Sequence, residues 1–197
     1  MVRKTLSGLL IYYKMVTDSE IEDLENKICD LVSSAKFFND LTGEMNKLYS
    51  KHRSNPKRNI FTLHSNIYFR YVISVFRTLF EVAPSPCEQS FCLWRKKREE
   101  QREEMKDFKR ILELYNQSNL KTFRDKIIDH RDNNNAGDAV ANFLNPVRNE
   151  FVLISSEIIS ELENHVRKYF DEPEYNFYSV YGPSMDKLIS IFETEPS

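Results

Sequence analysis

Apolar residues recur at steps of three and four along most of this chain, the spacing of helices with one buried face. Ile21, Leu24, Ile28, Leu31 and Val32 mark a helix over 18–34, with Asp18 or Ser19 as its N-cap. A second helical piece, 36–50, runs into the basic loop "SKHRSNPKRN", where Pro56 stops the pattern. Residues 59–82, "NIFTLHSNIYFRYVISVFRTLFEV", are apolar on most sides, as the central helix of a bundle should be. Their β-branched and aromatic content would also suit strands, but no turn signal divides them. "APSPCEQS" ends that helix and offers Ser85 or Ser90 to cap the next, predicted over about 87–116. It carries Phe91 and Trp94, then Met105, Phe108, Ile111, Leu112 and Tyr115, around a polar middle, "RKKREEQREEMK". Arg95 and Glu99, or Lys96 and Glu100, are four apart there, so the middle is expected to be a solvated face projecting beyond the core.

Ser118 or Asn119 can cap a short helix bearing Leu120, Phe123, Ile127 and Ile128, closed by the turn "RDNNNAGD". A last long helix, about 145–169, shows Val147, Phe151, Ile154, Ile158, Leu162 and Val166. His165, one step from Val166, is expected to face solvent. The tail "DEPEYNFYSVYGPS" is irregular and aromatic; Tyr175, Phe177, Tyr178 and Tyr181 read as packing groups, and a short helix from Met185 to Phe192 follows.

With only 4 glycines in 197 residues, this pattern predicts an all-α protein: an antiparallel four-helix-bundle core with extra short helices. The bundle is placed at 18–170, with an N-terminal extension at 1–17 and an aromatic-rich C-terminal tail at 171–197. Lys and Arg total 28 against 30 Asp and Glu, so the formal charge of -2 gives no global pull toward nucleic acid, and local patches must supply any binding. Cys29, Cys87 and Cys92 are odd in number and form no CxxC pair, which argues against a disulfide framework and a zinc site. No metal or cofactor is expected, and the reading is cytoplasmic, in a reducing compartment. No stretch approaches the roughly 20 apolar residues that span a bilayer.

Candidate chemistry concentrates in "KTFRDKIIDHRDNN", residues 121–134, which places Arg124, Asp125 and His130 on one short helix. On a helix Arg124 and His130 are about 240° apart around the axis and about 9 Å along it, so one chain cannot close them into a compact pair. They flank the stripe of Leu120, Phe123 and Ile127; if that stripe packed on its own copy across a two-fold axis, both residues of each chain would converge in one cleft. A second match to the same spacing is "RNIFTLH", from Arg58 to His64. Lys51, Arg53, Lys57 and Arg58 form an acid-free basic loop that could hold phosphate, with Lys126 and Arg131 as further cations beside the motif.

The Arg124–Asp125–x4–His130 run resembles the R-(N, D or H)-x4-H signature of HEPN domains, the "higher eukaryotes and prokaryotes nucleotide-binding" helical bundles. The order of a long apolar helix, a long charged helix and a short motif helix reading "FRDKIIDHRD" is similar to their abortive-infection U-type branch. The copy at 124–130 fits the family's order better than that at 58–64, which lacks the His-x-Asp ending. The resemblance implies a metal-independent endoribonuclease of phage defence or a toxin–antitoxin pair, acting as a homodimer on RNA, with an antitoxin of nucleotidyltransferase type as a further partner. In that chemistry two copies of His130 would serve as base and acid, Arg124 would meet the phosphoryl oxygens, and Asp125 would orient one of them. The tyrosine that some members carry two residues after the motif histidine is replaced by Asp132, so its regulation does not transfer. The alternative is a non-catalytic HEPN-like helical module that binds a partner protein or nucleic acid.

Overall fold

The computed structural model describes residues 17–55, 58–81, 89–124, 145–170, 186–187 and 190. Six helices stand among them: α1 (Asp18–Lys51), α2 (Asn59–Phe80), α3 (Gln89–Arg98), α4 (Arg102–Gln117), α5 (Leu120–Phe123) and α6 (Asn149–Tyr169). The all-α expectation holds, and no strand occurs among the described residues.

Helix α1 starts at Asp18 as predicted, but its N-cap lies one residue before the predicted candidates. Thr17 is the N-cap, its hydroxyl accepting from the Glu20 N–H while the Glu20 carboxylate accepts from the Thr17 N–H, a reciprocal capping box. The two helices expected at 18–34 and 36–50 are one helix of 34 residues, about 50 Å long. Nothing between Ser34 and Lys36 can break it, and Ala35 is completely buried. The reverse happened at 87–116. That single predicted helix is two, α3 and α4, separated at Glu99–Gln101. Arg98 explains the break: it reaches Glu25 on α1, donates to Gln101 Oε1 at 2.6 Å, and lies 3.7 Å from Glu104, so the elbow is folded onto α1 rather than projecting.

Helices α1 and α2 form an antiparallel hairpin, with Ser34 bonded to Tyr71 at one level and Ser65 to Asn46 at another. Helix α6 runs antiparallel to α1 (Asn39 to Val152 and Ser156) and to α4 (Arg110 to Glu161, Lys168 to Asp107). Phe69, Val72, Phe76, Trp94, Phe108, Tyr115, Ile158 and Leu162 fill the space between them. A polar seam crosses this core. Asn46 donates to the Val147 carbonyl at 2.6 Å, Ser65 donates to Asn46 at 2.7 Å and accepts from the Val147 N–H, and Asn66 donates to the Asn145 carbonyl at 3.0 Å. Buried amides and hydroxyls need such partners, and together they pin the entry to α6 against α1 and α2.

His165 departs from expectation. It is 3% exposed, ringed by Trp94, Phe108, Tyr169 and Phe170, and neither ring nitrogen has a hydrogen-bond partner. Its step from the Val166 stripe turns it toward α3 and α4, a surface that sequence periodicity within α6 does not encode.

Candidate functional site

Arg124 is the one motif residue among those described; Asp125, Lys126, His130 and Arg131 lie outside them, as does Lys57. It follows directly on α5, whose Asn119 N-cap is assisted by Ser118 Oγ accepting from the Leu120 N–H at 3.4 Å. Leu120 is fully buried, and the Phe123 ring lies 5.4 Å from Phe69 and 4.8 Å from Phe151. The first two residues of the expected two-fold stripe are therefore used within the chain's own core. A seam between copies built on Leu120 and Phe123 would require the core to release them.

Arg124 is buried at 8% exposure and pairs with the Glu81 carboxylate, at the C-cap of α2. The same carboxylate oxygen accepts from the Tyr115 hydroxyl at 3.1 Å. Two phenylalanines and Tyr115 line the neighbouring core, with Phe80 stacked on Tyr115 at 4.9 Å and Phe76 edge-on at 5.8 Å. Arg95 completes the joint by approaching the Phe80 and Glu81 carbonyls, where the C-terminal dipole of α2 favours a cation. An ion pair this well enclosed is costly to break by removing one partner, because the other charge is left buried.

The basic loop is elsewhere. Lys51 and Arg53 are exposed, and Arg58 donates to the Arg53 carbonyl at 2.6 Å with its guanidinium 5.0 Å from the Tyr49 ring. His64, in the second copy of the motif spacing, is half-buried with its ring 5.6 Å from that of Tyr68. This end of α2 and the Glu81 end are separated by the helix's 22 residues, about 33 Å. The described cations of the two candidate sets do not form one surface.

Beside α5 opens a cleft of about 470 Å³ between α5, α2 and the start of α6, lined by Asn66, Asn119, Thr122, Asn145 and Arg148 over the rings of Phe123 and Phe151. Amide groups above apolar walls can receive a small planar polar ligand. The Arg124 guanidinium is held away from it by Glu81.

Sequence reasoning missed Glu81, Tyr115 and the asparagine seam. Glu81 did leave a signal: it is the first acidic residue after Glu44, closing a long run that otherwise carries only cations and neutral residues. Two further carboxylates also escaped. Glu25 accepts from the Trp94 Nε1–H at 3.3 Å and pairs with Arg98. Glu104, almost fully buried, has its carboxyl pushed up to about 6 by burial, against the lowering pull of Arg98 and with a further push from Glu25. Burial likewise holds His165 down to about 4. Among the described residues no group of His, Cys, Asp and Glu could hold a metal ion, and no helix is long and apolar enough to cross a membrane. In comparisons with known proteins, no family model, curated protein or solved structure matches the chain.

Proposed function

We propose that the chain is a HEPN-like helical module that works by binding, with Arg124 as a structural cation and the outward face of α2 as its contact surface. The observation that carries this reading is a row of exposed apolar side chains on that face, Ile60, Leu63, Ile67 and Tyr71, between 38% and 47% exposed. They recur at steps of three and four, so they form one continuous stripe rather than scattered surface residues. The burial of Arg124 against Glu81 supports the same reading, since a guanidinium already matched to a carboxylate has less to offer a phosphate.

A second reading keeps the motif as a catalytic set: a metal-independent endoribonuclease in which Arg124, Asp125 and His130 act across a homodimer on RNA. It is favoured by the 470 Å³ cleft of amides and aromatic rings beside α5, the helix that Arg124 follows. In it, an incoming phosphodiester would compete with Glu81 for the guanidinium, while the two imidazoles would move the protons.

One assay separates the two. Purified wild-type protein and the His130→Ala variant are incubated with mixed-sequence RNA without metal. The binding reading expects both preparations to leave the RNA intact. Cleavage by the wild type that His130→Ala abolishes, with the fold retained by circular dichroism, would replace it with the nuclease.

A further inference from the structure

The stripe on α2 faces away from α5. Residues 67 and 69 are about 200° apart on a helix, and Phe69 points inward to Phe123 and Phe151. Whatever covers Ile67 therefore sits on the opposite side of α2 from α5. The stripe is also close to symmetric about its middle: Leu63 and Tyr71 lie four residues either side of Ile67, and Ile60 and Ser74 lie seven either side. A helix with such a row can pack on an antiparallel copy of itself, with Ile67 at the axis and Leu63 against the other copy's Tyr71.

The charges on the hairpin fit the same arrangement. Its tip carries Arg53 and Arg58, while the first half of α1, at the far end, exposes Glu22, Asp23 and Asp30. The Ser34–Tyr71 hydrogen bond sets the register, putting Asp30, one turn earlier on α1, level with about residue 75 of α2. In an antiparallel pair centred on Ile67, Arg58 of one copy falls level with residue 76 of the other. The cationic tip of each copy then meets the acidic half of α1 in its twin, at both ends of the contact. A parallel pairing would instead set tip against tip.

We propose that a second copy of this chain covers the α2 stripe, as an antiparallel two-fold dimer centred on Ile67 and steered by the opposite charges of the hairpin's two ends. This rests on the reading of that face as a contact surface, and it names the partner. The pairing leaves Phe123 of α5 on the far side of α2, so it differs from a dimer seam built on the Leu120 and Phe123 stripe.

Sedimentation velocity on the full chain tests it. The wild type should sediment as a dimer, Ile67→Glu and Leu63→Glu should weaken association by about tenfold or more, and added salt should weaken it as well. Leu153→Glu, which alters an exposed apolar residue on α6 at 69% exposure, should leave the dimer intact. Asp30→Arg should weaken it, and Asp30→Arg combined with Arg58→Glu should restore part of the loss. Independently of any loss of folding, Ile67→Cys should cross-link to its twin under mild oxidation, and Leu153→Cys should not. A monomeric wild type, or a dimer indifferent to both stripe variants and uncross-linked through position 67, overturns the proposal. In the first case the stripe is left to a different protein or to another segment of this chain. RNA cleavage in the assay above would remove the binding reading without touching this result.

Discussion

The two ends of α2 each hold an arginine that fits the same short sequence pattern, and the fold treats them in opposite ways. Arg58 lies at the tip of the hairpin, over Tyr49 and against a backbone carbonyl, with solvent close by. Arg124 is enclosed, and its charge is matched by Glu81 with Tyr115 sharing the carboxylate. A spacing rule sees identical residues; the physical difference is desolvation. At the tip water stabilises the cation at little cost, whereas in the core only a dedicated anion can. Glu104 and His165, buried groups whose pKa values burial shifts, lie in the Glu81 half of the molecule, while nearer the tip burial raises Tyr68, which is only half-buried against the small core of Met45, Leu48 and Phe61.

The sharpest way to break the contrast is Glu81→Ala. Stranding the Arg124 charge in the core should cost about 3–5 kcal/mol, read by chemical denaturation. Replacing both partners, Glu81→Leu with Arg124→Met, should recover most of that loss, which an exposed pair would not do. A loss below about 1 kcal/mol for Glu81→Ala would mean that Arg124 is as solvated as Arg58.

His165 gives the next effect, and it depends on pH. Its native pKa of about 4 lies below the ordinary 6.5, so the folded state resists taking up the proton. Its contribution is complete above about 6.5 and declines as pH falls toward 4, by an amount on the order of 3 kcal/mol. His165→Phe should flatten that part of the stability profile in melts followed by circular dichroism.

Glu104 has the opposite sign and a smaller size. Its native pKa, about 6, lies above the ordinary 4.5, so its contribution is complete below 4.5 and is lost as pH rises through 6. Between about 4.5 and 6 the two slopes oppose each other, and Glu104→Gln should expose the uncompensated rise from His165. The smallest change is expected at the tip: Arg58→Ala should shift stability by less than about 0.5 kcal/mol, by the same denaturation measurement.

Much of the bundle was legible from periodicity. The helices at α2, α4 and α6 carry their apolar stripes where a 3.6-residue repeat puts them, and the start of α1 was readable from polar residues ahead of Ile21. Two joints were misplaced because their causes are not local. The run through Ala35 continues because a buried alanine gives no reason to stop, and the break at Glu99–Gln101 is set by Arg98 reaching a carboxylate some 70 residues away in sequence. Arg124 was picked out by its pattern, but its environment was not: Glu81 and Tyr115 come from two other helices, and nothing near residue 124 announces them. His165 shows the same limit. A helix's own stripe says which residues could be buried, and the neighbouring helices decide which flanking ones join them.

Trp94 is the chain's single tryptophan, and it stands where three parts of this architecture meet. Its indole N–H is on Glu25 of α1, and its ring is edge-on to Phe108 and Phe170 and close to His165. The protein thus carries an optical gauge at its acid-sensitive joint, and a protonated imidazole beside an indole quenches its emission. Fluorescence recorded on the unmodified chain would report what acid does at that joint, with no label and no added residue.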